Sequence, residues 1–544
     1  MNRILAALTL SVLLAPSCRA ALPEGDKVFA AMNDELSRSM DKLNMDGLGK
    51  PYFLAYRMVD GRHFEASASF GALETEASRA FRRLTVDLRV GSPRFDNSNY
   101  APSMWEGYNA MSDWEVTPEN DYGSLRFSVW SATDKAYKQA LELLSKKRAF
   151  VESRNMSELY DDLTPQAPYR LFRPAAAERL DEEAWKGALR RVSAVFRKYP
   201  AVKSSIVRLH FESGAQRFLN SEGSAFMQPY CSGGVSIVAA GYAPDGFRLV
   251  SSRDHDFCLA KDAPSAERLA ADAEELGAAV TAMTRSSQGQ AYIGPVLFQK
   301  DAAGKFFEDL LVNNLANPRE VWTEKSQWSD ETLFRRAGQL VERLGMRVMP
   351  PFLSVVDDPS ARYHEGLPLA GFYEADDEGV PAKPVTLVSK GRLSEYYMSR
   401  AATRDFKVSN GHGRAASGEY ASGSPSNVFI KAENVPGKVL PSDELRKRFI
   451  ALCKEQELEY CFRLKGLDSV YAPFSAWKVY PDGREEPAHG IEFSGVNLRA
   501  LRDIVAVSTE TWVYDLNWTT PGSIVTPDIL VQEMEIKKTE EKPE

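Results

Sequence analysis

The spacing of apolar residues in the first half of the chain predicts amphipathic helices and alternating strands. Apolar side chains three or four positions apart predict helices over 26–45, 133–149, 181–199 and 265–283. Alternating or clustered apolar residues between Gly, Pro and Asn turns predict strands over 52–57, 64–70, 84–90, 125–130, 205–211, 215–220, 224–227, 234–240 and 247–252. Prolines mark a linker at 160–180. Residues 21–290 are therefore predicted to form an α+β domain with an antiparallel sheet and packed helices.

Strands dominate the second half of the chain. The predicted helices cover 301–315, 331–344 and 442–457, the second ended by Gly345 and the third capped by Ser442. A Lys390-Gly391 turn between 384–388 and 393–397 predicts a β-hairpin. Residues 291–537 are accordingly predicted to form a β-rich antiparallel domain, followed by a polar tail at 538–544. The length of 544 residues suits two or three domains.

The N-terminus has the pattern of a secretory signal peptide at 1–20, with a charged start, a short apolar run and a small residue, Ala20, for cleavage. The protein is therefore predicted to be exported, to the periplasm or the medium. Lipid anchoring through Cys18 is the alternative, disfavoured because Pro16 spoils the cleavage box. No later apolar run is long enough to span a bilayer as a helix.

Charge and cysteine content narrow the function classes. Cleavage leaves 65 basic and 75 acidic residues, an excess of acid that argues against nucleic-acid binding. Export permits disulfides among the four remaining cysteines, and Cys231 with Cys258 would join adjacent strands. Buried free thiols are an equal alternative, which suits Cys453 on the apolar face of its predicted helix.

Several polar clusters are candidates for chemistry, and each also has a simpler interpretation. The acidic turn 376–379 offers oxygen ligands without EF-hand spacing, so a solvated turn is favoured over a calcium site. Solvated groups are also predicted at 254–256 and at the basic helix end 146–148. His364 and Glu365 begin a zinc motif, but Pro368 breaks the required helix. The Ser409 to Arg414 loop holds a serine and a histidine without a nucleophile elbow.

The order of motifs resembles the TldD/PmbA family of bacterial peptidases. The acidic turn, hairpin and Gly-rich loop follow one another from Leu369 to Arg414. Further segments that resemble family strands are 64–67, 88–91, 294–298, 425–430 and 526–535. From this resemblance we expect the family fold over most of the mature chain. It also implies candidate peptide-cleft residues: Asp376, Asp377, Gly379, Tyr397, Arg400, Asn410 and Arg414.

Active members of that family carry HExxxH on the helix after the opening strand, and a cysteine ligand further on. The motif positions fall here on Phe298, Gln299 and Ala303, and no cysteine lies between Cys258 and Cys453. Phenylalanine and alanine offer zinc no lone pair, and a glutamine amide is no general base at neutral pH. We therefore expect no catalytic residues, no metal and no cofactor.

Two functions remain. The first is a non-catalytic, peptidase-related protein that binds extended or unfolded peptides by strand addition beside the hairpin 385–397, or that pairs with an active homologous subunit. A homo-oligomer is expected by resemblance. The alternative is an active metallopeptidase whose ligands the motif does not reveal.

Overall fold

The computed structural model describes residues 22–45, 49–101, 114–175, 177–323, 338–415, 419–516 and 520–539. The predicted signal peptide, with Cys18, lies outside the described residues, as do the end of the tail and most of the predicted helix 331–344. Among the described residues, no helix is long and apolar enough to cross a membrane.

The first half of the chain forms an eight-stranded sheet. Its order is β3-β2-β1-β7-β8-β6, with β5 also paired to β2 and β9 to β8. All of these pairings are antiparallel except that of β6 with β8. The strands of this half, with the separately paired β4, are β1 (Pro51–Ser69), β2 (Ala72–Ser92), β3 (Phe95–Asp96), β4 (Tyr100–Ala101), β5 (Trp114–Glu115), β6 (Arg170–Phe172), β7 (Ser204–Asn220), β8 (Ala225–Tyr242) and β9 (Arg248–Phe257).

Each of the strands β1, β7 and β8 spans two segments that the sequence pattern predicts as separate strands. Gly61 and Gly214 lie opposite each other in the β1–β7 register. A Cβ on Gly61 would stand 2.1 Å from the carbonyl oxygen of Ser213. These glycines permit a close approach of two backbones inside continuous strands, and so the predicted breaks there are wrong.

Helices cover one face of this sheet. They are α1 (Lys27–Lys42), α2 (Tyr122–Ser153), α3 (Glu182–Ala194) and α4 (Ala266–Met283), with short 3₁₀ turns at Val195–Lys198 and Ala260–Asp262. The carboxylates of Asp26, Asp121 and Asp181 accept backbone N–H groups at the first three N-termini, and the Ser265 hydroxyl does so at the fourth. Three of the four predicted helices match these closely.

The predicted strand 125–130 is wrong, because it belongs to α2. Leu125 and Val129 are fully buried, whereas Phe127 between them is 65% exposed. Burial at positions i and i+4 is a helical pattern. In a segment of only six residues, it resembles the alternation of apolar side chains in a strand. The helix begins after Asp121, ahead of the segment from residue 133 in which the spacing of apolar residues is most clearly helical.

The prediction that residues 146–148 are solvated is wrong for Lys147, whereas Arg148 is exposed. The ammonium of Lys147 is fully buried and lies 2.6 Å from a carboxylate oxygen of Asp162 and 2.7 Å from the Ser98 carbonyl oxygen. The helix continues to Ser153, so Lys147 lies on its inner face. Asp162 belongs to the predicted linker, whose residues Arg170–Phe172 form β6 of the sheet.

The second half contains a twelve-stranded sheet with the order β10-β24-β23-β22-β11-β26-β20-β13-β16-β17, in which β25 pairs with β26 and with β21. Its strands are β10 (Ser287–Gln288), β11 (Tyr292–Phe298), β13 (Leu353–Asp357), β16 (Val385–Ser389), β17 (Arg392–Leu393), β20 (Asn427–Ala432), β21 (Val439–Leu440), β22 (Cys461–Leu464), β23 (Phe474–Val479), β24 (Glu485–Phe493), β25 (Ile504–Asp515) and β26 (Ser523–Lys538). The α+β class and the β-rich second half are confirmed. The sheet is mixed rather than purely antiparallel, since β11 with β22 and β20 with β26 run parallel.

Three short pairs lie outside these sheets. They are β4 with β12 (Trp322–Thr323), β14 (Tyr363–His364) with β15 (Leu367–Pro368), and β18 (Gly413–Arg414) with β19 (Ser422–Gly423). His364 therefore sits in a tight hairpin, where its Nε2 lies 2.8 Å from the Thr511 hydroxyl. It is not on a helix.

The predicted helix 301–315 forms as α5 (Asp301–Phe307), a π turn (Glu308–Val312) and α6 (Asn313–Leu315). The last helix is α7 (Ser442–Glu455). Ser442 is its first helical residue and bonds Glu510, so the predicted cap is wrong. The described part of the predicted helix 331–344, residues 338–344, forms turns.

The predicted hairpin forms between β16 and β17, but residues 394–397 are not a strand. The Asn410 side chain explains the difference. Its carbonyl oxygen accepts the Met398 N–H at 2.9 Å, and its amide donates to the Tyr396 carbonyl oxygen at 2.8 Å. These backbone groups are thus bonded without a partner strand.

Four cysteines form two disulfides, Cys231–Cys258 and Cys453–Cys461. The first joins the adjacent strands β8 and β9, as one of the two sequence interpretations expects. The second ties the end of α7 to the start of β22. Cys453 is buried and bonded, so its interpretation as a free thiol is wrong.

Candidate functional site

The three motif positions lie at the junction between β11 and α5. Phe298 ends β11, and its ring is fully buried, 5.0 Å from the Phe306 centroid and 5.8 Å from that of Phe493. Ala303 is also fully buried, on the inner side of α5. Because the helix begins at Asp301, positions 298 and 303 do not share one helix.

Gln299 lies between them, in a hydrogen-bonded network. Its amide nitrogen donates to Asp528 at 3.1 Å, and its carbonyl oxygen accepts from Arg463 at 3.4 Å. The other oxygen of Asp528 accepts the backbone N–H of Lys300 at 2.9 Å. Gln299 therefore helps to fix the turn that leads into the helix.

Moving the motif by one residue does not restore a metal site. The three positions then become Leu297, Phe298 and Ala302, or Gln299, Lys300 and Gly304. Gly304 has no room for a side chain, since a Cβ there would lie 2.2 Å from the Tyr514 ring. In the part of the chain that the structure describes, no group of three or more His, Cys, Asp or Glu side chains is placed to hold a metal ion.

The acidic turn is buried, and the prediction that it is solvated is wrong. One oxygen of Asp376 accepts the N–H groups of Glu378 and Val380 at 3.0 and 2.8 Å, and the other accepts that of Gly413 at 2.9 Å. Burial, followed by the nearby charge of Glu378, raises the pKa of Asp376 well above its ordinary value. The turn is fixed in place by its own carboxylate.

Asp377 connects the two halves of the molecule. Its carboxylate lies 3.0 Å from the guanidinium of Arg57 in β1 and 3.3 Å from that of Arg414. The side-chain amide of Gln216 in β7 also donates to it, at 3.0 Å. Burial opposes its charge, but Arg57 and Arg414 outweigh burial and lower the pKa of Asp377 to about 2.

Glu378 meets the backbone of Arg400, whose N–H donates to its carboxylate at 2.6 Å. Burial raises the pKa of Glu378 to about 7, against the opposing effect of Arg400 and Arg89. The Arg400 side chain is 1% exposed and donates to the Thr164 carbonyl oxygen at 2.6 Å and to Glu222 at 2.9 Å. Arg400 thus also spans the two halves.

The remaining candidate residues belong to the same cluster. Gly379 has φ +80°, and a Cβ there would stand 2.8 Å from the ring of Phe218 in β7. Tyr397 is fully buried, with its ring centroid 5.7 Å from that of His412. The structure therefore brings all seven candidate cleft residues together, at a junction between the halves where most of them are buried.

A second buried set in this region has no signal in the sequence. Asp357 accepts hydrogen bonds from the backbone N–H and the hydroxyl of Ser426, and His412 Nε2 lies 3.3 Å from the same carboxylate. The aspartate stands between the serine and the histidine, so the imidazole is not placed to take the hydroxyl proton. All three residues are fully buried. This arrangement is structural.

A cavity lies next to the acidic turn, between the two halves. The first sheet lines it with two phenylalanines and a pair of opposite charges, Phe53, Phe218, Arg57 and Asp87. The second half lines it with Asp377, Glu378 and Arg400. Two of the candidate cleft residues, Asp377 and Arg400, therefore line a small cavity to which both halves contribute.

Another pair of carboxylates joins the halves further along the sheet. The backbone N–H of Asp256 in β9 donates to Asp515 in β25 at 2.9 Å. Burial and then the charge of Asp515 raise the pKa of Asp256 to about 8, and burial raises that of Asp515 to about 6. Asp256 is not the solvated group predicted from its position. The partner Asp515 is too distant in sequence to foresee.

Comparison with known proteins identifies the second half. Residues 290–538 match the model described as PmbA/TldA metallopeptidase C-terminal domain. This half of the chain belongs to the TldD/PmbA family. A search of curated proteins gave no match.

Solved structures show that the similarity of fold extends over most of the chain. A putative modulator of a DNA gyrase from Thermotoga maritima has 16% identity and a TM-score of 0.61, covering 93% of this chain and 100% of its own. TldE from Thermococcus kodakarensis has 14% identity and a TM-score of 0.58, over 93% and 99%. A putative modulator of DNA gyrase from Bacteroides thetaiotaomicron has 12% identity and a TM-score of 0.58, over 94% and 98%.

Proposed function

We propose that this TldD/PmbA family member is non-catalytic and acts by binding, either to extended peptides or to a homologous subunit. The observation that carries the proposal is the packing of Phe298 and Ala303, which are fully buried where the family's histidines are expected. Buried apolar side chains supply no ligands for a hydrolytic metal. An active metallopeptidase with other ligands remains the alternative.

Peptide binding by strand addition needs an open sheet edge. The outer edge of the hairpin is already occupied, because the Leu393 N–H donates to the Met346 carbonyl oxygen at 3.0 Å and the Gly345 N–H donates to that of Leu393 at 2.8 Å. A peptide added there would have to displace this segment.

The strand β9 offers a better edge, since among the described strands it pairs only with β8. The N–H of Asp256 points away from β8, toward Asp515. Alternation along the strand then directs the backbone groups of Ser252 and Asp254 outward. Both residues are exposed. We therefore place strand addition at β9 rather than at the hairpin.

The test is binding of a labelled unfolded peptide to the purified protein, with the peptide recovered and analysed afterwards. We expect saturable binding and an intact peptide. Two further peptides are N-methylated at alternate residues, one at the odd and one at the even positions. One of the two should bind at least about tenfold more weakly than the other, because it lacks the backbone N–H donors that face β9. Equal binding of both patterns would contradict strand addition, and cleaved peptide would contradict the non-catalytic assignment.

We further propose export, from residues 1–20, and self-association or pairing with a homologous subunit, from the family resemblance. The two halves are proposed as domains with the boundary at 290/291. Analytical ultracentrifugation of the mature protein tests the association. A monomer at all concentrations, in the presence of a homologous subunit too, would contradict it.

A further inference from the structure

Two lysines follow neighbouring strands of the second sheet, close to the positions where the family carries its metal motif. The strands β11 and β22 run parallel with Phe298 opposite Leu464, so their carboxyl ends meet at one edge. The Gln299 N–H donates to the Leu464 carbonyl oxygen at 2.9 Å, and the Ala302 N–H donates to that of Lys465 at 3.2 Å. Lys300 and Lys465 therefore follow neighbouring strand ends.

Neither lysine is neutralised within the described residues. No carboxylate oxygen lies within 4.0 Å of either ammonium there. The Lys300 ammonium lies 4.9 Å from the centroid of the Trp512 ring. Lys465 as a residue is exposed, but partial desolvation of its ammonium, followed by the positive charge of Arg463, lowers its pKa. Like charges are thus concentrated at this edge.

The acidic groups nearby already have partners. Glu275, whose charge acts on Lys465, lies 3.3 Å from the Arg253 guanidinium. Asp301, next to Lys300, lies 4.0 Å from the same guanidinium. Glu485 is bonded to Arg463 at 2.6 Å and to Arg446 at 2.8 Å. Asp528 accepts from Gln299 and from the Lys300 backbone. The ammonium groups are therefore left to attract an anion from solution.

Behind the lysines, Arg463 has unused hydrogen-bonding capacity. Its side chain is 8% exposed, and its Nε makes no hydrogen bond. A buried guanidinium N–H without a partner costs free energy that an oxygen ligand would recover.

We propose that Lys300 and Lys465, with Arg463 behind them, bind a carboxylate, that of the C-terminal residue of a peptide. Lysine and arginine donors form strong charge-assisted hydrogen bonds with carboxylate oxygens. The carboxyl ends of parallel strands commonly hold ligands, although usually in α/β sheets. The same positive charge disfavours a divalent cation at the place where the family's motif would bind one.

This inference rests on the proposed peptide binding, and it adds that the end of the peptide is recognised. The experiment is isothermal titration of the full chain with one peptide in two forms, with a free and with an amidated C-terminus. Inorganic phosphate serves as a third probe. The variants are Lys300→Gln and Lys465→Gln, and Lys454→Gln, an exposed lysine on α7, is the charge-matched control.

We expect the free-acid peptide to bind about tenfold more tightly than the amide, and each of the two variants to remove most of that difference. Lys454→Gln should leave it unchanged. Lys465 is exposed, so Lys465→Gln is expected to fold even if Lys300→Gln does not.

Equal binding of acid and amide would overturn the inference while leaving the proposed peptide binding intact. Failure of both forms to bind, with phosphate binding that the two variants abolish, would overturn both peptide claims and leave only a small-anion site. A preference for the free acid that survives both substitutions would also overturn the inference.

Discussion

The junction at Phe298 and the acidic turn at Asp376 differ in an instructive way. The junction is where the family places hydrolytic chemistry, and its side chains pack as ordinary apolar core. The acidic turn has the sequence of a surface loop, and it is buried with three carboxylates and their guanidinium partners. The buried carboxylates of this turn therefore lie at the contact between the two halves.

The difference has a physical cause. Apolar residues at 298 and 303 are stable in a core without any ligand, whereas carboxylates at 376–378 are stable only if each finds donors. Losing the motif is thus compatible with a well-packed fold. Keeping the acidic turn requires the arginines that join the halves.

The largest effect is expected when the motif is rebuilt. Phe298→His, Gln299→Glu and Ala303→His together should lower the free energy of unfolding by roughly 5 kcal/mol, because a buried ring is lost and a large polar side chain is forced beside α5. Chemical denaturation and zinc analysis check this. A stable variant that retains one zinc per chain would contradict the account of this junction as packed apolar core.

A slightly smaller effect is expected at the acidic turn. Asp377→Ala should lower the free energy of unfolding by about 3–4 kcal/mol, because Arg57 and Arg414 are left buried without their shared partner. Asp468→Ala, at an exposed position, is the control and should change it by less than about 0.5 kcal/mol. Equal effects of the two substitutions in urea denaturation would contradict the proposed junction.

The third expectation concerns pH. The pKa of Glu378 is raised from 4.5 to about 7, so its stabilising contribution is complete below about pH 4.5 and is lost as the pH rises through about 7. Asp256 and Asp515 act in the same direction. Glu378→Gln should remove up to roughly 3 kcal/mol of the decline in unfolding free energy between pH 5 and 8.

The control for this measurement is Glu433→Gln, at an exposed position. It should leave the pH dependence unchanged. If Glu378→Gln retains the whole decline, the turn does not titrate as its burial implies.

The smallest effect is expected at Gln299. Gln299→Ala removes two hydrogen bonds at the turn before α5, and should lower the free energy of unfolding by about 1 kcal/mol. It should not change peptide binding. Loss of a hydrolytic activity on this single substitution would contradict the account.

Periodicity and turn residues predict much of the fold. The helices predicted over 26–45, 181–199 and 265–283 form, and so does the Lys390-Gly391 hairpin. Errors occur where a local signal has two meanings. Gly61 and Gly214 resemble strand breaks but permit close packing inside long strands, and Leu125 with Val129 fits both a strand and a helix.

The site was harder to predict, because burial of a charged residue depends on partners far away in sequence. Lys147 meets Asp162, Asp377 meets Arg57, and Asp256 meets Asp515. Considered without those partners, each of these charged residues is expected in solvent. The order of motifs in the family correctly predicts that the acidic turn lies beside the Gly-rich loop. It does not predict that β1 and β7 pack over both segments.

Elemental analysis of the purified protein, paired with a peptide-cleavage assay with and without a chelator, tests the central claim most directly. The account predicts far less than one zinc per chain and no chelator-sensitive cleavage. Stoichiometric zinc together with cleavage that the chelator abolishes would contradict it.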